Sequence, residues 1–172
     1  PGRSRSARWR NVSSSADRMR LVEVQNAASG RYALIADPVE LAQMLSGQRG
    51  GSWFRTGYST DTFSFTAHDN FLAISQPVCR ARLVEGGSYT YSASTQDCKD
   101  FAANSGLYVD GTVFAASFPN GSYCPSGSGP AYEYVRLDSA GYNIRTIWDM
   151  SLDSVMVDAG WIRSRVAFCL PQ

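Results

Sequence analysis

A chain of 172 residues is enough for one domain with a substantial core, and a hydrophobic fraction of 44% excludes wholesale disorder. No apolar run approaches the roughly 18 residues that a membrane helix needs, so neither a spanning helix nor a membrane partner is expected. Charge is unevenly placed: residues 1–20 carry six arginines and one aspartate, net +5, while the rest of the chain holds ten bases and fourteen acids, net −4.

No charged-then-apolar leader opens the chain, and Pro1 in place of Met fits a trimmed or processed product. Fifteen of the sixteen bases are arginine, Lys99 being the exception. Arginine binds phosphate through a planar fork and stacks on bases, although a GC-rich coding bias would give the same composition.

Residues 1–17 alternate Arg with Ser and lack an apolar period, so they read as an extended basic arm preceding a β domain over 18–172. Met19–Val24 and Arg31–Ala36 alternate as strands around Ser29-Gly30. Pro38–Leu45 is the best helical stretch, with Asp37 as N-cap and Pro38 in the first turn. Thr62–Thr66 and Phe71–Ser75 flank a turn at His68-Asp69-Asn70. Val78–Val84 and Ser88–Ser92 bracket Gly86-Gly87 as a hairpin. Asp97–Asn104 suits a helical turn, and Leu107–Val109 and Thr112–Ala116 lie either side of Asp110-Gly111. Residues 119–130 read as a loop. Glu133–Leu137 and Tyr142–Trp148 surround Ser139-Ala140-Gly141, and Trp161–Leu170 forms the last strand.

No internal repeat is evident in this series. Eight to ten short strands with frequent turns predict an all-β antiparallel sandwich with under about 20% helix, that helix lying within residues 37–46. The expected core is Leu21, Ile35, Phe63, Phe65, Ile74, Leu83, Val113, Ile144, Val166 and Phe168. In the last strand Ile162, Val166, Phe168 and Leu170 should share the buried face.

Catalytic patterns are absent from the sequence: no G-x-S-x-G elbow, no phosphate-binding P-loop, no H-E-x-x-H and no C-x-x-C. With one histidine, an enzyme is not expected. Cys79, Cys98, Cys124 and Cys169 are too dispersed for a zinc site and allow three disulfide connectivities in an oxidising compartment, or four buried thiols elsewhere. Asp97 and Asp100, three residues apart on a turn, could share a hard cation such as Ca²⁺, or simply face solvent with Lys99 between them. Asn11-Val-Ser13 and Asn120-Gly-Ser122 have the form of glycosylation sequons. Trp9 either stacks on a base or tucks the arm against the body.

Three stretches together resemble the shell domain of small icosahedral RNA virus coat proteins of the tombusvirus, luteovirus and sobemovirus kind. They are the arm with Arg3, Arg5, Arg8 and Arg10, the run from Val22 to Leu41 through Ser29-Gly30 and Asp37-Pro38, and the ending from Asp158 to Pro171. The arm is shorter and less basic than is usual for that family, and no protruding domain follows. The resemblance implies a jelly roll with one short helix, self-assembling as a homo-oligomeric shell in a virion. Its arm arginines would contact RNA phosphates without sequence selectivity. The alternative is an extracellular or surface-exposed β-sandwich binding module, such as an adhesin or appendage subunit, stapled by disulfides and using the loop at 119–130 as its contact surface. Thiol state separates the two: four free thiols favour the coat protein, none the surface module.

Overall fold

Strand formation follows the alternating β-branched and aromatic runs, and a computed structural model describes residues 18–63 and 75–172. The arm over 1–17, the sequon at Asn11 and the turn at His68 therefore lie outside the described residues, as do Phe65 and Ile74. Among the described residues 54% are in strands and 18% in helices, forming an all-β antiparallel sandwich, the class expected from the sequence.

Nine strands and three helices lie among the described residues, and they fall into three consecutive units of the same order, strand–strand–helix–strand. The first comprises β1 (Arg18–Asn26), β2 (Tyr32–Ile35), α1 (Pro38–Leu45) and β3 (Trp53–Phe63). The second comprises β4 (Ser75–Leu83), β5 (Tyr89–Ser92), α2 (Thr95–Ala103) and β6 (Leu107–Ser117). The third comprises β7 (Ser128–Asp138), β8 (Gly141–Ile147), α3 (Asp153–Asp158) and β9 (Ile162–Pro171). In each unit the first strand pairs antiparallel with both others. The third strands meet at their ends, Phe63 with Ala115 and Ser117 with Cys169.

Matching irregularities make the units equivalent in detail. The register between first and third strands slips by two residues in every unit: between Val22 and Val24, across Val78–Ala81, and across Ala131–Tyr134. Such bulges suit a glycine in the left-handed region. Gly57 (φ 97°) and Gly111 (φ 93°) occupy corresponding places, which Arg165 fills in the third unit. Helix starts correspond as well. Asp37, Ser94 and Asp149 each accept backbone N–H groups at the head of a helical turn, which satisfies donors that lack a partner in the first turn. Asp37→Ala should cost about 1 kcal/mol in chemical denaturation, since Asp37 caps both Val39 and Glu40.

Several expectations change. Instead of the single short helix there are three. The helix α2, which overlaps the helical turn expected over Asp97–Asn104, buries no residue, and α3 is only six residues long, so apolar spacing marks both weakly, whereas α1 spans the predicted residues. The path is three repeated units rather than the eight-stranded jelly-roll order. β3 was hidden by Gly57 and by polar residues at Thr56, Ser59, Thr60 and Asp61. Asp110-Gly111 is a bulge inside the continuous β6, not a turn between two strands. The loop predicted over 119–130 ends earlier, because β7 begins at Ser128.

The main core draws on all three units: Leu21 and Leu34, then Val78, Tyr91 and Phe114, then Ala131, Phe168 and Leu170. Tyr91, Phe114 and Phe168 form an aromatic triad, with centroids 5.2 Å apart for Phe114–Phe168 and 6.4 Å for Tyr91–Phe168. Ile35, Ile144 and Val166 are buried as expected, whereas Leu83 and Val113 are only partly buried. The side chain of Phe63 is outside the described residues. Ile162 is 73% exposed, because the bulge before Tyr134 breaks the alternation that placed it on the buried face.

Candidate ligand-binding cleft

Every unit buries one charged residue at the same place in its first strand: Glu23, Arg80 and Glu133. A buried charge needs a partner of opposite sign or strong hydrogen bonds, and each finds one on another unit. Glu23 accepts from Nε and Nη2 of Arg145 on β8, at 2.8 and 2.9 Å. Glu133 accepts from Thr90 Oγ1 on β5 at 2.5 Å, and from Arg165 Nε on β9 at 3.2 Å. Arg80 donates to Glu40 on α1 at 2.6 Å and to Asp110 on β6 at 2.8 Å. The first unit thus reaches the third, the third reaches the second, and the second reaches the first.

The three seams differ because one equivalent position holds Arg145, Thr90 or Ala33. In the first-to-third seam the long Arg145 side chain lies over the rings of Tyr32 and Tyr58, and the remaining hollow is no larger than about one water. At the second-to-first seam Ala33 has no polar group to offer, and Arg80 turns to Glu40 on the helix instead. There a cleft of about 420 Å³ opens, with Trp53 and Tyr89 on one side and Arg31, Arg49, Arg80 and Arg82 around it.

Electrostatics divides these arginines into two kinds. Arg31 is buried and clamped by both carboxylate oxygens of Asp138, while its Nε donates to the Gly86 carbonyl at 2.8 Å. Hydrogen bonding from Arg31 to Asp138, more than anything else, holds the Asp138 carboxyl below its ordinary range. Burial works against the charge on Arg80, but the fields of Tyr91, Glu40 and Asp110, with the Glu40 hydrogen bond, outweigh it and keep the guanidinium charged. Burial likewise pushes the Tyr89 hydroxyl above its usual value, with Arg80 pulling the other way, so it remains a neutral donor at physiological pH. Arg49 and Arg82 are exposed. Arg49 donates to Gln43 at 3.0 Å and lies 3.8 Å from Glu40, and Arg82 stacks on Tyr108.

Asp97 and Asp100, the candidate cation ligands, sit on α2 beside a shallow hollow shared with Glu133 and Arg165. Asp97 Oδ2 accepts from Ser92 Oγ at 2.7 Å and Arg165 Nη1 at 3.0 Å, while Asp100 Oδ1 accepts from Gln96 at 2.8 Å. Arg165 thus supplies the positive charge beside these carboxylates, and among the described residues no group of three or more His, Cys, Asp or Glu is placed to hold a metal. Arg3, Arg5, Arg8 and Arg10 lie outside the described residues.

All four cysteines are paired, Cys79 with Cys98 and Cys124 with Cys169. The first pair ties β4 to α2. The second ties the 118–127 loop to β9, leaving Phe118 and Tyr123 exposed and Asn120, of the second sequon, on the surface. No helix among the described residues is long and apolar enough to cross a membrane.

The cleft was not legible in the sequence. Its residues come from two units, and the available signal was the recurrence of a charged residue inside apolar strands, Val-Glu23-Val and Tyr-Glu133-Tyr, with Cys-Arg80-Ala in register. The arrangement is that of a β-sandwich of three ββαβ units with an open cleft between the first and second. Comparison with family models, with curated proteins and with solved structures found no match.

Proposed function

We propose that this protein is an extracellular or surface-exposed binding module, stapled by two disulfides, that takes its ligand in the cleft between the first and second units. The pairing of all four cysteines carries this reading. Disulfides persist in oxidising compartments and are rare in the reducing cytosol. The cleft adds what a binding module needs: two aromatic rings, fixed polar groups and exposed arginines on a framework held by buried ion pairs.

Thiol titration of the natively produced protein in denaturant, without reductant, should find no reactive thiol, and four after reduction. Four thiols before reduction, with material that elutes as a large RNA-containing particle at low salt, would replace this reading with the RNA-coat function expected from the Arg-rich arm.

A further inference from the structure

The chemistry of the cleft suggests the class of its ligand, on the reading that the protein is a binding module. Four arginines line it against two carboxylates, Glu40 and Asp110. Asp138 neutralises Arg31, which leaves one positive charge in excess. Arg31 and Arg80 are consumed by their partners, so the guanidinium groups open to a ligand are Arg49 and Arg82 at the rim.

Trp53 lies half-buried against Tyr89, with centroids 6.4 Å apart, and its indole N–H is already given to the Gly50 carbonyl at 2.9 Å. What it offers a ligand is therefore ring surface. An aromatic face beside carboxylate acceptors suits a molecule with apolar C–H faces and many hydroxyl donors. A polyphosphate chain would be repelled by Glu40 and Asp110, whereas a sugar hydroxyl donates to them. The single surplus charge matches one carboxylate, which arginine reads through paired N–H groups.

We propose that this cleft binds an oligosaccharide carrying carboxylate groups, with Trp53 stacking on a sugar ring, Asp110 and Glu40 accepting hydroxyls, and Arg82 and Arg49 holding the carboxylate. Arg145 fills the first-to-third seam, and in the shallower hollow of about 380 Å³ beside Arg165 that guanidinium is already engaged by Asp97 and Glu133.

Calorimetric titration of the full chain with the tetramers of galacturonate, mannuronate and hyaluronan tests this, with maltotetraose as the neutral control and an oligoribonucleotide as the phosphate control. At least one acidic tetramer should bind saturably and about tenfold or more tighter than either control. Arg82→Gln and Arg49→Gln, both at exposed positions, should each weaken it by about tenfold while the circular dichroism spectrum stays unchanged. Trp53→Phe should abolish the ligand-dependent change in tryptophan fluorescence. Absence of binding to all three tetramers, equal binding of maltotetraose or of the oligoribonucleotide, or unaltered affinity in Arg82→Gln would each overturn the assignment. These results are independent of the thiol count, so failure here leaves the extracellular reading standing, and free thiols there leave the sugar-binding result to be read alone.

Discussion

Phe168→Ala should destabilise the protein by about 3–5 kcal/mol, measured by urea or guanidinium unfolding. Phe168 is fully buried, and its ring meets Phe114 and Tyr91 edge-on where the three units converge. Truncation removes transfer energy and leaves a cavity, and the surrounding strands can close it only partly. The aromatic wall of Tyr91 and Phe114 belongs to the second unit and Phe168 to the third, and each side is held by its own register: Phe114 lies opposite Val78, and Phe168 opposite Ala131. A loss below roughly 1 kcal/mol would mean that the convergence point collapses freely and that the units do not share one core.

Glu23→Gln should be comparably damaging, at about 3–5 kcal/mol, for an electrostatic reason. The change keeps the volume and a hydrogen bond for Thr56, which donates to Glu23 at 2.7 Å. It removes the charge that Arg145 faces through two hydrogen bonds, stranding a guanidinium in a nearly closed seam. Replacing both partners with methionine should recover most of the loss, because no unpaired charge then remains. By contrast, breaking Arg20–Asp61, whose side chains are 62% and 43% exposed, should cost less than about 1 kcal/mol. If the double methionine variant is no more stable than Glu23→Gln, the penalty comes from packing at the seam rather than from the orphaned charge.

These two experiments separate the forces that join the units. Apolar convergence sits at the centre, where Leu21, Val78 and Ala131 occupy equivalent places and are all fully buried. Polar contacts join neighbouring units through the same first-strand position: ion pairs at Glu23 and Arg80, and a hydrogen bond from Thr90 at Glu133. The open cleft arises at the seam where the chain supplies Ala33 instead of a polar side chain.

Local chemistry determined much of this by itself. Asp37-Pro38 and the apolar spacing that follows define α1 at the expected residues, since capping and the fixed φ of proline act within one turn. Ser139-Ala140-Gly141 sets the β7–β8 hairpin, because Gly141 at φ 99° takes a backbone state that other residues avoid. Alternation over the remaining strands established an antiparallel all-β class. The threefold repetition was settled only in three dimensions. Its hairpin turns and helix-to-strand links differ in length, and its equivalent positions carry different residues, such as Ala33, Thr90 and Arg145. What those positions share is their place in the strand register, not identity or partner. The same holds for the bulges, where Gly111 looks like a turn locally but serves a continuous β6 paired to β4. Cysteine pairing, too, depended on which strands and helices met, since any of three connectivities suited the spacing. The chain's short-range preferences thus specified elements and class, while the long-range pairing of buried polar and charged groups decided how the units join and where a cleft is left between them.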